Sequence, residues 1–182
     1  MKSSVCIEMV FTEVPFAERI GKAAEAGFDA VEFWNWDNKD LPAVKEAAEE
    51  HGVGIACFQS NLGGTLIHPD QRGSFAAGIE KSLEKAREMG AGSLFLLTDE
   101  LGEDRSVRFQ FPELSEEAKY ESVLDGLKLL APMAEDAGVT LVLEPDRKAV
   151  SPGRRVCGSV DLGGATLALS VQPLSSVTVI ST

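Results

Sequence analysis

The residue best placed by type and context to do chemistry is Glu144. It follows the largely apolar run Val139-Thr140-Leu141-Val142-Leu143, which suits a strand buried on both faces, so its carboxylate stands at a strand's C-terminal end. A partly desolvated carboxylate there can have a raised pKa and serve as a base toward a proton α to a carbonyl. The bland alternative is a solvated strand-end charge. Glu32 interrupts the similar run Val31-Glu32-Phe33-Trp34, where a paired structural carboxylate is expected ahead of a catalytic one. Glu8 stands in a third such run, with its role open. Trp34 and Trp36 suit either the wall of a small-molecule pocket or plain loop packing. His68 and Arg72 form a candidate pair for a substrate carboxylate or hydroxyl, because a guanidinium matches a carboxylate bidentately. A single loop histidine is otherwise simply solvated. His51 precedes Gly52 and reads as a cation complementing a helix C-terminus.

These residues are carried by a repeating sentence of strand and helix. Val5 to Phe11 is the first short apolar run; Thr12 as a cap and Pro15 as an early helical residue then announce a helix on Phe16, Ile20, Ala23 and Ala24 that stops at Gly27. Strands follow at Asp29–Trp34, Val53–Phe58, Ser93–Leu97 and Val139–Leu143, and helices at Leu41–His51, Gln71–Met89 and Ser115–Ala137. Every helix ends on glycine followed at once by a strand, as in His51-Gly52-Val53 and Met89-Gly90-Ala91. Strict alternation with short αβ returns and longer βα loops means parallel strands with helical crossovers. Two architectures satisfy this, an open doubly wound sheet and a barrel. No Gly-x-Gly-x-x-Gly follows the first strand, which weakens the nucleotide-binding version of the open sheet. The expected class is therefore α/β, a partial (β/α)8 TIM barrel of about strands one to five and helices one to four. The long loops after strands three and four, with His68 on the first of them, would lie at the face where barrels build active sites.

Composition narrows the functions. A formal net charge of −12 argues against nucleic acid as a partner, since polyanion binding needs a basic footprint. Three widely spaced cysteines, Cys6, Cys57 and Cys157, fit neither a disulfide framework nor a zinc ribbon. No stretch reads as a signal peptide or a membrane anchor, so no membrane partner and a cytoplasmic location are expected. The charge breaks sharply along the chain: residues 1–145 hold 27 Asp and Glu against 13 Lys and Arg, while residues 146–182 hold two against four and lack Phe, Tyr, Trp, Met and Glu altogether. Residues 1–145 are thus expected to form the N-terminal part of the barrel domain, and residues 146–182 an irregular or disordered tail.

At Val31-Glu32-Phe33-Trp34-Asn35-Trp36-Asp37-Asn38-Lys39-Asp40, at Gly63-Gly64-Thr65-Leu66 with Pro69-Asp70-Gln71-Arg72, and at Gly138-Val139-Thr140-Leu141-Val142-Leu143-Glu144-Pro145, the sequence resembles the hydroxypyruvate isomerase family, within the xylose-isomerase-like barrels. The resemblance implies an intramolecular oxidoreductase that interconverts hydroxypyruvate and tartronate semialdehyde through an enediol, with Glu144 as catalytic base and Trp34, His68 and Arg72 toward a small hydroxy-oxo acid. It also implies a divalent cation, Mg or Mn, for which Glu144 is the candidate ligand and which would stabilise the enediolate oxygens. The rival readings are an epimerase or isomerase of another small sugar or sugar acid on the same barrel, and a non-catalytic truncated fragment. A zinc-dependent endonuclease on a related barrel is disfavoured by the presence of only His51 and His68.

After Pro145 the family continues with Leu-Asn and a histidine-proline-glycine stretch, whereas this chain has Asp146-Arg147-Lys148. The tail from 146 onward is therefore expected to be aberrant, read out of frame. A wall of five strands would leave an open edge and an exposed apolar interior, so self-association through the unclosed barrel is expected.

Overall fold

The computed structural model describes residues 2–60, 63–98, 108 and 110–143, together with the backbone of 159–161, 166–169 and 178–180. Glu144, Asp146-Arg147-Lys148 and Cys157 lie outside these residues.

Strands β1 (Lys2–Cys6), β2 (Ala30–Asn35), β3 (Gly54–Gln59), β4 (Ser93–Leu96) and β5 (Thr140–Leu143) alternate with helices α1 (Glu18–Glu25), α2 (Leu41–His51), α3 (Arg72–Met89) and α4 (Glu116–Ala137). Sequence neighbours are sheet neighbours, and each of these pairs is parallel. A doubly wound sheet reverses its strand order at a switch point. Five parallel strands in strict succession are instead the wall of a barrel, which decides between the two architectures that the sequence leaves open.

Local chemistry sets the element ends. Helices α2, α3 and α4 stop where Gly52, Gly90 and Gly138 take φ of 65°, 69° and 67°, a left-handed turn that glycine enters without a Cβ penalty. Asp40 caps α2 by accepting from the Ala43 N–H, and Ser115 caps α4 by accepting from the Ala118 N–H. Helix α1 departs from expectation. It has no side-chain cap, so Thr12 does not serve as one; the chain instead enters through a tight turn of i→i+3 bonds, Glu18 N–H to Pro15 and Arg19 N–H to Phe16.

The first strand lies earlier than its apolar run suggests, at Lys2–Cys6 rather than Val5–Phe11. Its polar start is held by Asp29, whose carboxylate accepts from the Ser3 N–H at 2.8 Å, and by Ser4, buried with its hydroxyl on Glu32. The ladder continues only as far as Ile7, whose N–H donates to Glu32 O at 2.9 Å; the Met9 N–H then turns back onto Cys6 O.

Burial alternates along the strands. Val31, Phe33, Phe58, Leu94 and Leu96 are fully or almost fully buried and share one core with Ile20, Val44, Ile79 and Leu130 of the helices. Phe33 stacks on Phe58 with centroids 5.1 Å apart and receives the edge of Phe16 at 5.8 Å. Each such aromatic or aliphatic side chain contributes about 1.5–3 kcal/mol by leaving water. The intervening residues, including Glu32, Trp34, Gln59 and Phe95, are half-buried on the opposite face, the one that faces inward in a barrel.

Beyond β5 the backbone supplies three short strands, β6 (Ser159–Asp161), β7 (Thr166–Leu169) and β8 (Thr178–Ile180). β7 runs parallel beside β5, β6 pairs antiparallel with β7, and β8 pairs antiparallel with β1. β7 and β8 thus take up the two edges of the five-stranded wall, where unpaired N–H and C=O groups wait. Among the described residues no helix is long and apolar enough to cross a membrane.

Candidate functional site

The C-terminal ends of β1 to β5 and the loops that leave them form the face on which a barrel does its chemistry. Three clusters sit there or support it. Glu144 follows directly on Leu143, the last residue of β5, and lies outside the described residues.

The first cluster gathers on β1 and β2. Glu8, two residues beyond β1, pairs with Lys39 of the β2–α2 loop at 2.8 Å, with only 15% and 11% of the two side chains exposed. The same Glu8 oxygen accepts from the Trp34 backbone N–H at 3.2 Å. Lys39 also donates to Asn38 Oδ1 at 2.8 Å and rests 4.6 Å above the Phe16 ring, a cation–π contact. Glu32, lower on β2, accepts from the Ser4 hydroxyl. Trp34 is half-buried at the rim beside Glu8. Trp36 turns the other way: its indole N–H donates at 3.0 Å to the buried Ser82 hydroxyl on α3, so it belongs to the packing of the helix layer.

The second cluster is on the loop after β3. His68 precedes a short 3-10 turn, Pro69–Gln71, and its Nδ1 accepts from the Asp70 N–H at 3.2 Å. With Nδ1 accepting there, Nε2 is the ring nitrogen left to donate. The ring lies against Phe111 with centroids 4.8 Å apart. The loop is fastened from beneath: the Leu66 N–H and the Thr65 hydroxyl both donate to Thr98 O, at 3.0 and 2.8 Å.

Arg72 belongs to the third cluster. Its Nη2 donates to the carbonyl and hydroxyl of Ser122 on α4, both at 3.3 Å, and stands 4.0 Å from Asp125. Ser122 in turn donates to Leu66 O at 2.7 Å. Arg72 therefore ties α3 to α4 beneath the His68 loop, while His68 is held by Asp70 and Phe111. The structure places the two on the same loop–helix junction and gives each its own partners. His51, expected to complement a helix end, packs its ring on α1, where a Cβ at Gly21 would come within 2.8 Å of Nε2.

Sequence reasoning left the role of Glu8 open and passed over Lys39. The available signal was chemical: a carboxylate inside an apolar run needs a cation, and Lys39 stands alone in the short loop after the next strand. Among the described residues no three His, Cys, Asp or Glu side chains converge as a metal site requires.

Comparison with known proteins places this geometry. Residues 20–163 match the family described as xylose isomerase-like TIM barrel, a match that runs past Pro145. A putative hydroxypyruvate isomerase of Streptomyces coelicolor is 30% identical over 164 residues, covering 82% of this chain and 56% of the relative. A 2-oxo-tetronate isomerase of Pectobacterium atrosepticum is 26% identical over 160 residues, covering 83% of this chain and 57% of its own length. Among solved structures, an AP endonuclease of family 2 from Brucella melitensis superposes with a TM-score of 0.69 at 23% identity, over 84% of this chain and 58% of that one, a likeness of fold. The chain spans a little over half the length of the curated relatives it matches.

Proposed function

The chain belongs to the xylose isomerase-like TIM barrel family, and from that premise we propose that it is an isomerase of small hydroxy-oxo acids, interconverting hydroxypyruvate and tartronate semialdehyde. The observation that carries this reading is the match to a putative hydroxypyruvate isomerase over 82% of the chain. In the proposed reaction Glu144 takes a proton from C3 of hydroxypyruvate while the C2 carbonyl oxygen gains one, giving the enediol. Loss of the C3 hydroxyl proton and return of a proton to C2 complete the aldehyde. Trp34 walls the pocket and His68 holds the acid's polar groups, while Arg72, tied to Ser122, steadies the base of that loop. A divalent cation, Mg or Mn, held with Glu144 as a ligand would stabilise the enediolate oxygens.

A second reading keeps the chemistry and lengthens the substrate: curated relatives named 2-oxo-tetronate isomerase favour a four-carbon acid. The test is turnover of the purified chain on hydroxypyruvate, 2-oxo-tetronate and D-fructose in deuterated water, read by deuterium incorporation. Incorporation into one of the acids above the buffer rate, and not into the ketose, is expected. Incorporation into D-fructose alone, or into none of the three, overturns the proposal.

A further inference from the structure

Among the described residues the one nearly buried ion pair on the catalytic face is Glu8–Lys39, and three facts set it apart from an ordinary surface bridge. Both side chains are largely withdrawn from water, at 15% and 11% exposure. A buried pair of this kind brings little net stability over apolar residues of the same size, so stability alone does not account for it. It also sits where the parallel ladder between β1 and β2 is interrupted. The Ile7 N–H bonds to Glu32 O, and in a regular parallel ladder the Ile7 carbonyl would then accept from the Trp34 N–H. Here Arg19 Nη1 donates to the Ile7 carbonyl at 2.8 Å, and the Trp34 N–H donates to the Glu8 carboxylate. A side chain has replaced a backbone acceptor at the last rung before the rim.

From this exchange we propose that the Glu8–Lys39 pair is a positioning device that sets Trp34 at the substrate rim, a role that rests on the reading of Trp34 as a pocket wall. Lys39 fixes the Glu8 carboxylate through the 2.8 Å pair and is itself seated by Asn38 and the Phe16 ring. Glu8 then fixes the backbone of Trp34. Removing the cation frees the carboxylate to seek water, and the tryptophan backbone loses its acceptor while the helix-facing core of Phe16, Phe33 and Phe58 stays in place.

The experiment uses the full chain carrying Trp36→Phe, which leaves Trp34 as the sole tryptophan. Emission maximum, acrylamide quenching and melting temperature are measured for that parent and for Lys39→Met, Lys39→Arg and Glu8→Gln, and hydroxypyruvate binding is titrated by quenching of Trp34. Lys39→Met is expected to red-shift the emission, to raise the quenching constant and to weaken hydroxypyruvate binding about tenfold, the loss of one charge-assisted hydrogen bond. Lys39→Arg is expected to restore all three. Glu8→Gln, which keeps an acceptor oxygen but not the charge, is expected to fall between them and serves if Lys39→Met does not fold. Emission and quenching identical to the parent in a folded Lys39→Met or Glu8→Gln chain overturn the proposal. Failure of the functional reading shows separately, as a parent that neither binds nor turns over hydroxypyruvate while Trp34 still responds to Lys39.

Discussion

Replacing Gly126 by alanine tests how tightly the His68 loop is clamped to α4. A Cβ built on Gly126 would lie 2.6 Å from Leu66 Cδ2, inside the distance that real Cβ atoms keep. Leu66 has little room to yield. Its side chain is fully buried, its N–H is bound to Thr98 O at 3.0 Å and its carbonyl accepts from Ser122 at 2.7 Å. Overpacking of this kind costs about 1–3 kcal/mol, against which the better helix propensity of alanine returns about 1 kcal/mol. The expected balance is a loss of up to about 2 kcal/mol, read by circular dichroism as a fall in melting temperature of up to roughly 8 °C for a chain of this size. Gly73, inside α3, is the control, because a Cβ there would meet nothing within 4 Å: Gly73→Ala is expected to leave stability unchanged or to raise it by up to about 1 kcal/mol. A Gly126→Ala chain that melts above the parent temperature would refute the close approach of Leu66 to α4.

Two further outcomes follow from the same geometry. Ser122→Ala removes the donor to Leu66 O and one acceptor of Arg72, whose Nε is already buried without a hydrogen-bond partner among the described residues; a loss of about 1–3 kcal/mol is expected, with non-additivity in a double-mutant cycle with Arg72→Ala. The Ser3 N–H holds the Asp29 carboxyl below its usual range, with the Ser3 hydroxyl adding to it. A carboxylate with a depressed folded pKa stabilises above its unfolded value, about pH 4, and loses that contribution as pH falls through the depressed value. Asp29→Asn is therefore expected to flatten the acid limb of the melting-temperature profile below about pH 4, measured over an acid-to-neutral pH series. An unchanged acid limb would mean that the Ser3–Asp29 contact forms no charge-dependent bond.

Much of the fold is legible in the sequence because period and punctuation agree. Glycine after each of α2, α3 and α4 and apolar strands of about five residues fix those three helices and four of the five parallel strands to within a residue or two. The first strand escapes because its polar residues are satisfied by distant partners, Ser3 by Asp29 and Ser4 by Glu32, which no local pattern reveals. The cap at Thr12 fails for a related reason: the chain from Phe11, at φ 56°, enters α1 through a tight turn at Pro15 instead. At the site, residue type is an ambiguous guide to Trp34 and Trp36, identical side chains two residues apart: the Trp36 indole bonds to Ser82 on α3, while the Trp34 backbone N–H bonds to Glu8. Arg72 shows the limit most clearly. Its guanidinium suits a carboxylate, but whether it meets a substrate or Ser122 depends on how α3 and α4 pack, information held in Gly126 and Leu66, which lie far apart in the chain.

The most direct test of the central claim is proton exchange at the carbon next to the carbonyl. Hydroxypyruvate is incubated in deuterated water with the purified chain and with Glu144→Gln, after matched circular dichroism spectra and melting temperatures have shown that the two fold alike, and C–H loss is followed by proton NMR. Exchange by the parent and a reduction of about 10²–10⁴-fold in Glu144→Gln are expected of a lost general base. Exchange in Glu144→Gln at the parent rate would contradict the assignment of Glu144 as the base.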